Sequence, residues 1–249
     1  MARAGTVMDG PMMAFLVAAI WAFLRATVEG ARRWPLGAIV SGLALSLASF
    51  MTYTASYLLL FFGLIAVLAF FVDRPRFWRI ARLVPVAAAT CLAFYGVLYL
   101  AVGYDPLAAL QRAVWANNEL VGTGHATFVQ YLHVSLSNLF AFLFGMGLAL
   151  VAVWLLQVKA AVQRARSGRE TDLFVLAFPI SLVAITFSAL YTLEVERIWM
   201  FMALMVTLAA GRFLDERQRS GGGDSAFYWT AGLLAAQAVL METFFDMLW

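Results

Sequence analysis

Three charges fall within four residues in Tyr191-Thr192-Leu193-Glu194-Val195-Glu196-Arg197-Ile198-Trp199-Met200-Phe201, between two apolar stretches. Glu194 and Arg197 are three apart, so they share a face if the segment is helical. Arg197 stands where the next apolar stretch begins, and a cation there opposes the positive end of a helix dipole. Something must offset it: Glu194, Glu196 or an anionic ligand. A guanidinium beside a helix N-terminus is a good seat for a phosphate, and a neighbouring carboxylate can accept a proton. The plainer alternative is a structural ion pair, with Arg197 reaching towards lipid headgroups. Ionisable groups at membrane depth are costly and usually functional, which favours the first reading.

Other candidates are scattered. Asp9, in Asp9-Gly10-Pro11, reads as an ordinary helix N-cap or as a wall of the same site. Tyr53, in the polar turn Ser49-Phe50-Met51-Thr52-Tyr53-Thr54, reads as an interfacial aromatic or as a substrate contact. His125 follows Gly122-Thr123-Gly124 and reads as a solvated loop histidine or as a substrate-binding or acid–base group. His125 and His133 have no nearby third ligand in a zinc spacing, so no metal is expected. Asn138 reads as glue between helices and Cys91 as a small packing residue. The sequence has no phosphate-binding loop, dinucleotide fingerprint, HExxH or GxSxG, and no cofactor is expected.

The elements that must position these residues follow from composition. Of the 249 residues, 64% are hydrophobic and 12% charged, with a mean hydropathy of +0.86. A soluble domain is about 45–50% apolar and about 25% charged. A water-soluble globule of this composition would expose its apolar excess, and a disordered chain is excluded for the same reason. The expectation is all-α: a polytopic transmembrane helix bundle of about eight spans, with a juxtamembrane interfacial helix on the outer face.

The expected spans are 7–24, 36–51, 53–72, 83–103, 136–158, 173–192, 198–211 and 227–241, in a single transmembrane domain covering 1–249, with an outer loop at 104–135. Leu36–Val72 is too long for one crossing and is read as two short helices. Charge supports the count. Arg25–Arg33, Asp73–Arg82, Lys159–Asp172 and Arg212–Ala226 together hold 14 of the 17 basic residues, and eight spans put all four segments on the cytoplasmic side. Only Arg3, Arg112 and Arg197 fall outside. The net charge of +3 and pI near 9.2 are therefore a topology signal, and no nucleic-acid partner is expected. Met1 lies outside with no earlier span to carry it. That fits translocation of a short tail, or a chain whose N-terminal portion is missing.

Tyr104-Asp105-Pro106 is a helix start, with Asp at the N-cap and Pro at the first helical position. Leu107, Leu110 and Val114 then recur at helical spacing, as in a helix lying on a membrane surface.

Four segments together resemble the later two-thirds of GT-C-type membrane glycosyltransferases, the group that includes protein O-mannosyltransferases and aminoarabinose transferases. They are Met8-Asp9-Gly10-Pro11; Ser41 to Thr54; Gly103-Tyr104-Asp105-Pro106; and Glu194-Val195-Glu196-Arg197-Ile198-Trp199-Met200-Phe201. The resemblance is at the level of pattern, and the last motif is the most specific. It implies transfer of a sugar from a polyprenyl-phosphate-linked donor at the outer face of a bacterial inner membrane. Asp9, Glu194 and Glu196 would supply carboxylates, and Arg197, Tyr53 and His125 substrate contacts. The family's catalytic acid lies in a first outer loop, which has no counterpart upstream of Asp9, so the chain reads as part of a longer enzyme or as a member without catalysis. The alternatives are a non-catalytic membrane subunit assembling on a partner, and a small-solute transporter. Broken helices and buried mid-span charge would favour the transporter.

Overall fold

The computed structural model describes residues 5–27, 33–52, 55, 57–121, 127–167, 172–188 and 200–245. Every regular element among them is helical. The chain divides into two compact units, Met1–Gly124 and His125–Trp249, each taken in its own right below. Four helices are long and apolar enough to cross a membrane, the mark of a membrane protein: Trp34–Met51, Arg74–Val102, Phe128–Gly145 and Leu148–Arg166. Pro11–Ala26, Tyr57–Val72 and Leu173–Thr186 are apolar but shorter, so among the described residues four helices, not eight, meet the requirement.

The first unit contains α1 (Gly5–Ala26), α2 (Trp34–Met51), α3 (Tyr57–Val72), α4 (Arg74–Val102) and α5 (Pro106–Val121). The long apolar run 36–72 is thus divided between α2 and α3. In lipid, helices associate through close packing and hydrogen bonds rather than through apolar burial, and α2 uses both. Ser41 Oγ donates to the Ala19 carbonyl of α1 at 3.0 Å. On its other side, a Cβ built on Gly42 would lie 3.0 Å from Thr90 Cβ and 3.1 Å from Ala87 Cα of α4. Only glycine allows that approach. Further along, Ser49 Oγ and Tyr95 OH share a 2.7 Å hydrogen bond. The Cys91 thiol donates to the Gly42 carbonyl at 3.3 Å; it is half-buried rather than the fully packed residue expected. Contacts advancing together, from Gly42–Ala87 to Ser49–Tyr95, make α2 and α4 parallel. A stacked pair, Phe23 and Phe62 with ring centroids 3.9 Å apart, ties α1 to α3.

Two helix starts differ from expectation. Helix α4 begins at Arg74 instead of near Leu83, so Arg74, Arg76, Arg79 and Arg82 ride on its first turns and not in a loop. The cause is local: Asp73 caps the helix by accepting the Arg76 N–H at 3.0 Å, and Pro75 sits in the first turn, where its missing N–H is harmless. Helix α1 begins at Gly5, which places Asp9 inside its second turn and not at an N-cap.

The second unit contains α6 (Phe128–Gly145), α7 (Leu148–Arg166), α8 (Leu173–Thr186), α9 (Met200–Arg217) and α10 (Ser225–Phe245). The stretch 136–158, read from sequence as one span, is divided between α6 and α7. Gly147 lies at φ +91°, a left-handed conformation that side chains disfavour, and the α-helical ladder stops there. The core lies between α7, α8 and α9, with Trp154 meeting Phe178 edge-on at 5.6 Å, and Met202, Met205 and Val206 buried on α9.

Candidate functional site

Most residues nominated from sequence cannot be placed. Tyr53, His125, Glu194, Glu196 and Arg197 lie outside the described residues, and for Asp9 only its position on the α1 backbone is defined. His133 is exposed on α6 and Asn138 is buried on the same helix. Among the described residues, no three His, Cys, Asp or Glu side chains converge as a metal site would require.

The corner that opens the 104–135 segment is well defined. Helix α4 ends at Gly103 in the left-handed conformation. Asp105 then caps α5, with Oδ1 accepting from the N–H groups of Leu107 at 2.9 Å and Ala108 at 3.1 Å. Leu107, Leu110, Val114 and Trp115 of α5 are all exposed, as on a helix that lays an apolar stripe against a membrane surface.

In the second unit, charge collects at one end. Arg164 of α7 donates to Glu216 of α9 at 3.0 Å. Arg212 of α9 pairs with Glu216 at 3.1 Å and with Asp172. Asp172 also caps α8, accepting from the N–H groups of Phe174 and Val175. Burial would raise the Glu216 carboxyl, but hydrogen bonds and charge from Arg164 and Arg212 outweigh that and hold it below its ordinary value.

The other end of α8 is marked by Tyr131, whose hydroxyl donates to the Phe187 carbonyl at 2.7 Å. Tyr131 on one side and Arg164 and Asp172 on the other therefore sit at opposite ends of α8. Together α6 and α7 traverse the unit once, with the break part-way.

That break is the most unusual polar feature among the described residues. The amide of Gln237, from α10, clamps both sides of it. Oε1 accepts the Leu148 N–H at 2.8 Å, and Nε2 donates to the Phe144 carbonyl at 2.7 Å. Beside the clamp is a cavity of about 220 Å³ walled by Met146, Gly147, Leu234, Met241 and Glu242, among others. Deeper in the unit, Gln157 of α7 is fully buried, and neither of its amide atoms has a partner. Sequence reasoning passed over Gln157 and Gln237. The available signal was an amide within each apolar stretch (Gln157 along with Asn138 in 136–158, Gln237 alone in 227–241), together with Gly145-Met146-Gly147 inside a long hydrophobic run.

No family model, curated protein or solved structure matches the chain.

Proposed function

We propose that the chain is a membrane glycosyl-transfer protein, or the later part of one, working on a polyprenyl-phosphate-linked sugar at the outer face of a bacterial inner membrane. In this reading α1, α3, α8, α9 and α10 also cross. The α6–α7 pair counts as one crossing, giving eight. The four basic segments then share the cytoplasmic side, in keeping with the convergence of Arg164 and Arg212 at one end of the second unit.

The observation that carries the reading is the α4–α5 corner. A spanning helix closes at Gly103, Asp105 caps the next helix, and α5 presents an exposed apolar stripe. This is the juxtamembrane arrangement that the Gly103-Tyr104-Asp105-Pro106 motif implies through its resemblance to the GT-C group.

In the proposed chemistry, a carboxylate among Asp9, Glu194 and Glu196 takes the acceptor's hydroxyl proton. The acceptor oxygen bonds to the anomeric carbon, and the bond from that carbon to the phosphate oxygen breaks. The polyprenyl phosphate leaves with the electron pair, and Arg197 stabilises its charge. Tyr53 and His125 are the candidate substrate contacts that the resemblance implies.

The test uses membranes carrying the chain within its full-length parent and a labelled polyprenyl-phosphate sugar. Arg197→Ala should lower transfer by at least about 100-fold, the scale of losing one oxyanion-type contact. Unchanged transfer would overturn the proposal. So would cytosolic labelling of Arg197→Cys in a Cys91→Ser background.

A small-solute transporter is the second reading, favoured by the broken α6–α7 helix and its adjoining cavity. Solute flux in proteoliposomes without sugar transfer would select it.

A further inference from the structure

Where α3 turns into α4, guanidinium groups and aromatic rings are packed together. Phe70 meets Phe77 edge-on at 5.2 Å, and Phe77 meets Trp78 likewise at 5.2 Å. The Arg74 guanidinium stands 4.5 Å above the Phe70 ring. Two turns of α4 carry Arg74, Arg76, Arg79 and Arg82. Because α2 runs parallel to α4, its first residue brings Arg33 to the same end, and the antiparallel α1 brings Arg25 there as well.

The opposing charge is small. Among the described residues of the corner, Asp73 is the one carboxylate, and it accepts the Arg76 backbone N–H. The Nε atoms of Arg76 and Arg79 are buried and have no hydrogen-bond partner. A buried guanidinium donor left unpaired is expensive, and two of them among so many cations and so little acid call for an anion. Trp78 is 61% exposed and Phe71 75% exposed, beside the exposed apolar surface of α4 at Val84 and Leu92. Cations and interfacial aromatics together at the start of α4, followed by bare apolar helix, give the profile of one lipid molecule from headgroup to acyl chain.

We infer that the α3–α4 corner is a binding site for an anionic phospholipid. Arg76 and Arg79 hold its phosphate, Trp78 lies at headgroup depth, and its acyl chains run along α4. The site goes beyond the sugar-transfer reading and does not depend on it. A soluble phosphate would satisfy the arginines, but it would give no use to the exposed aromatic rings and apolar stripe, so the lipid is the occupant proposed.

The test is native mass spectrometry of the full chain in a neutral detergent, with phosphatidylglycerol and phosphatidylcholine of matched chains. The wild type should retain phosphatidylglycerol about 25-fold better, the scale of two arginines near an anionic surface. R76Q/R79Q should lose about 25-fold, and R76K/R79K should keep most of the preference. Equal retention of the two lipids by the wild type would overturn the site, with no variant required. So would unchanged phosphatidylglycerol retention in a monodisperse R76Q/R79Q, or complete displacement by equimolar inorganic phosphate. Arg219→Gln, on a cation paired with Asp215 in the other unit, should change nothing; an equal loss there would mark the effect as bulk charge and also overturn it.

Discussion

Gln237 and Leu148 are 89 residues apart, yet the Gln237 side chain accepts the first N–H of α7 at 2.8 Å and with its other atom holds the Phe144 carbonyl across the break. One amide thus bridges the donor and the acceptor of the single i→i−4 hydrogen bond, Leu148 N–H to Phe144 C=O, that the helix loses where Gly147 interrupts it. In a bilayer, backbone groups freed in this way must find partners within the protein.

Gln237→Leu should therefore lower stability by roughly 1–3 kcal/mol, the scale of leaving buried polar groups unpaired. Gln237→Glu keeps the acceptor and loses the donor, and should fall between the two. Thermal unfolding in detergent checks the order; a neutral leucine variant would show that the clamp carries no weight.

At Gly42, α2 and α4 approach too closely for a side chain. Gly42→Ala should separate the pair at a cost of about 1–3 kcal/mol, as overpacking does. Gly63→Ala, with open space around the added carbon, should change stability by less than about 1 kcal/mol and leans towards a gain. The two variants differ only in position, and their denaturation midpoints report the approach directly.

Gln157→Leu should be neutral or should raise stability by about 1 kcal/mol, because it removes a fully buried amide whose polar atoms are unpaired. A loss above about 2 kcal/mol would mean that the amide has a partner in the membrane.

The Glu216 carboxyl is held below its ordinary value, so its contribution is present above the unfolded-state value and is lost as pH falls through the lower folded-state one. The melting temperature should drop on acidification below about pH 4, and less steeply in Glu216→Gln. Glu216 is partly exposed, so water screens the effect to a fraction of 1 kcal/mol up to about 1 kcal/mol.

Hydropathy and charge made the helical class and the clustering of basic segments legible, because both are sums over many residues. The start of α5 was legible for the opposite reason: Asp105 and Pro106 act on their immediate neighbours. The Gly147 break was missed because a window about 20 residues wide averages over two residues, and because the partner that stabilises the break comes from α10. Likewise, Asp73 and Pro75 extend α4 backwards through charged residues that a hydropathy scan assigns to a loop. The proposed catalytic residues were nominated on charge spacing and resemblance. Of these, Glu194, Glu196 and Arg197 fall between α8 and α9, in 189–199, outside the described residues.

At 14 residues, α8 measures about 21 Å, whereas the hydrocarbon layer is about 30 Å thick. If α8 crosses as proposed, the bilayer must thin locally around it. A thicker host membrane would widen that mismatch and deepen the local thinning, so stability of the second unit should fall as membrane thickness rises.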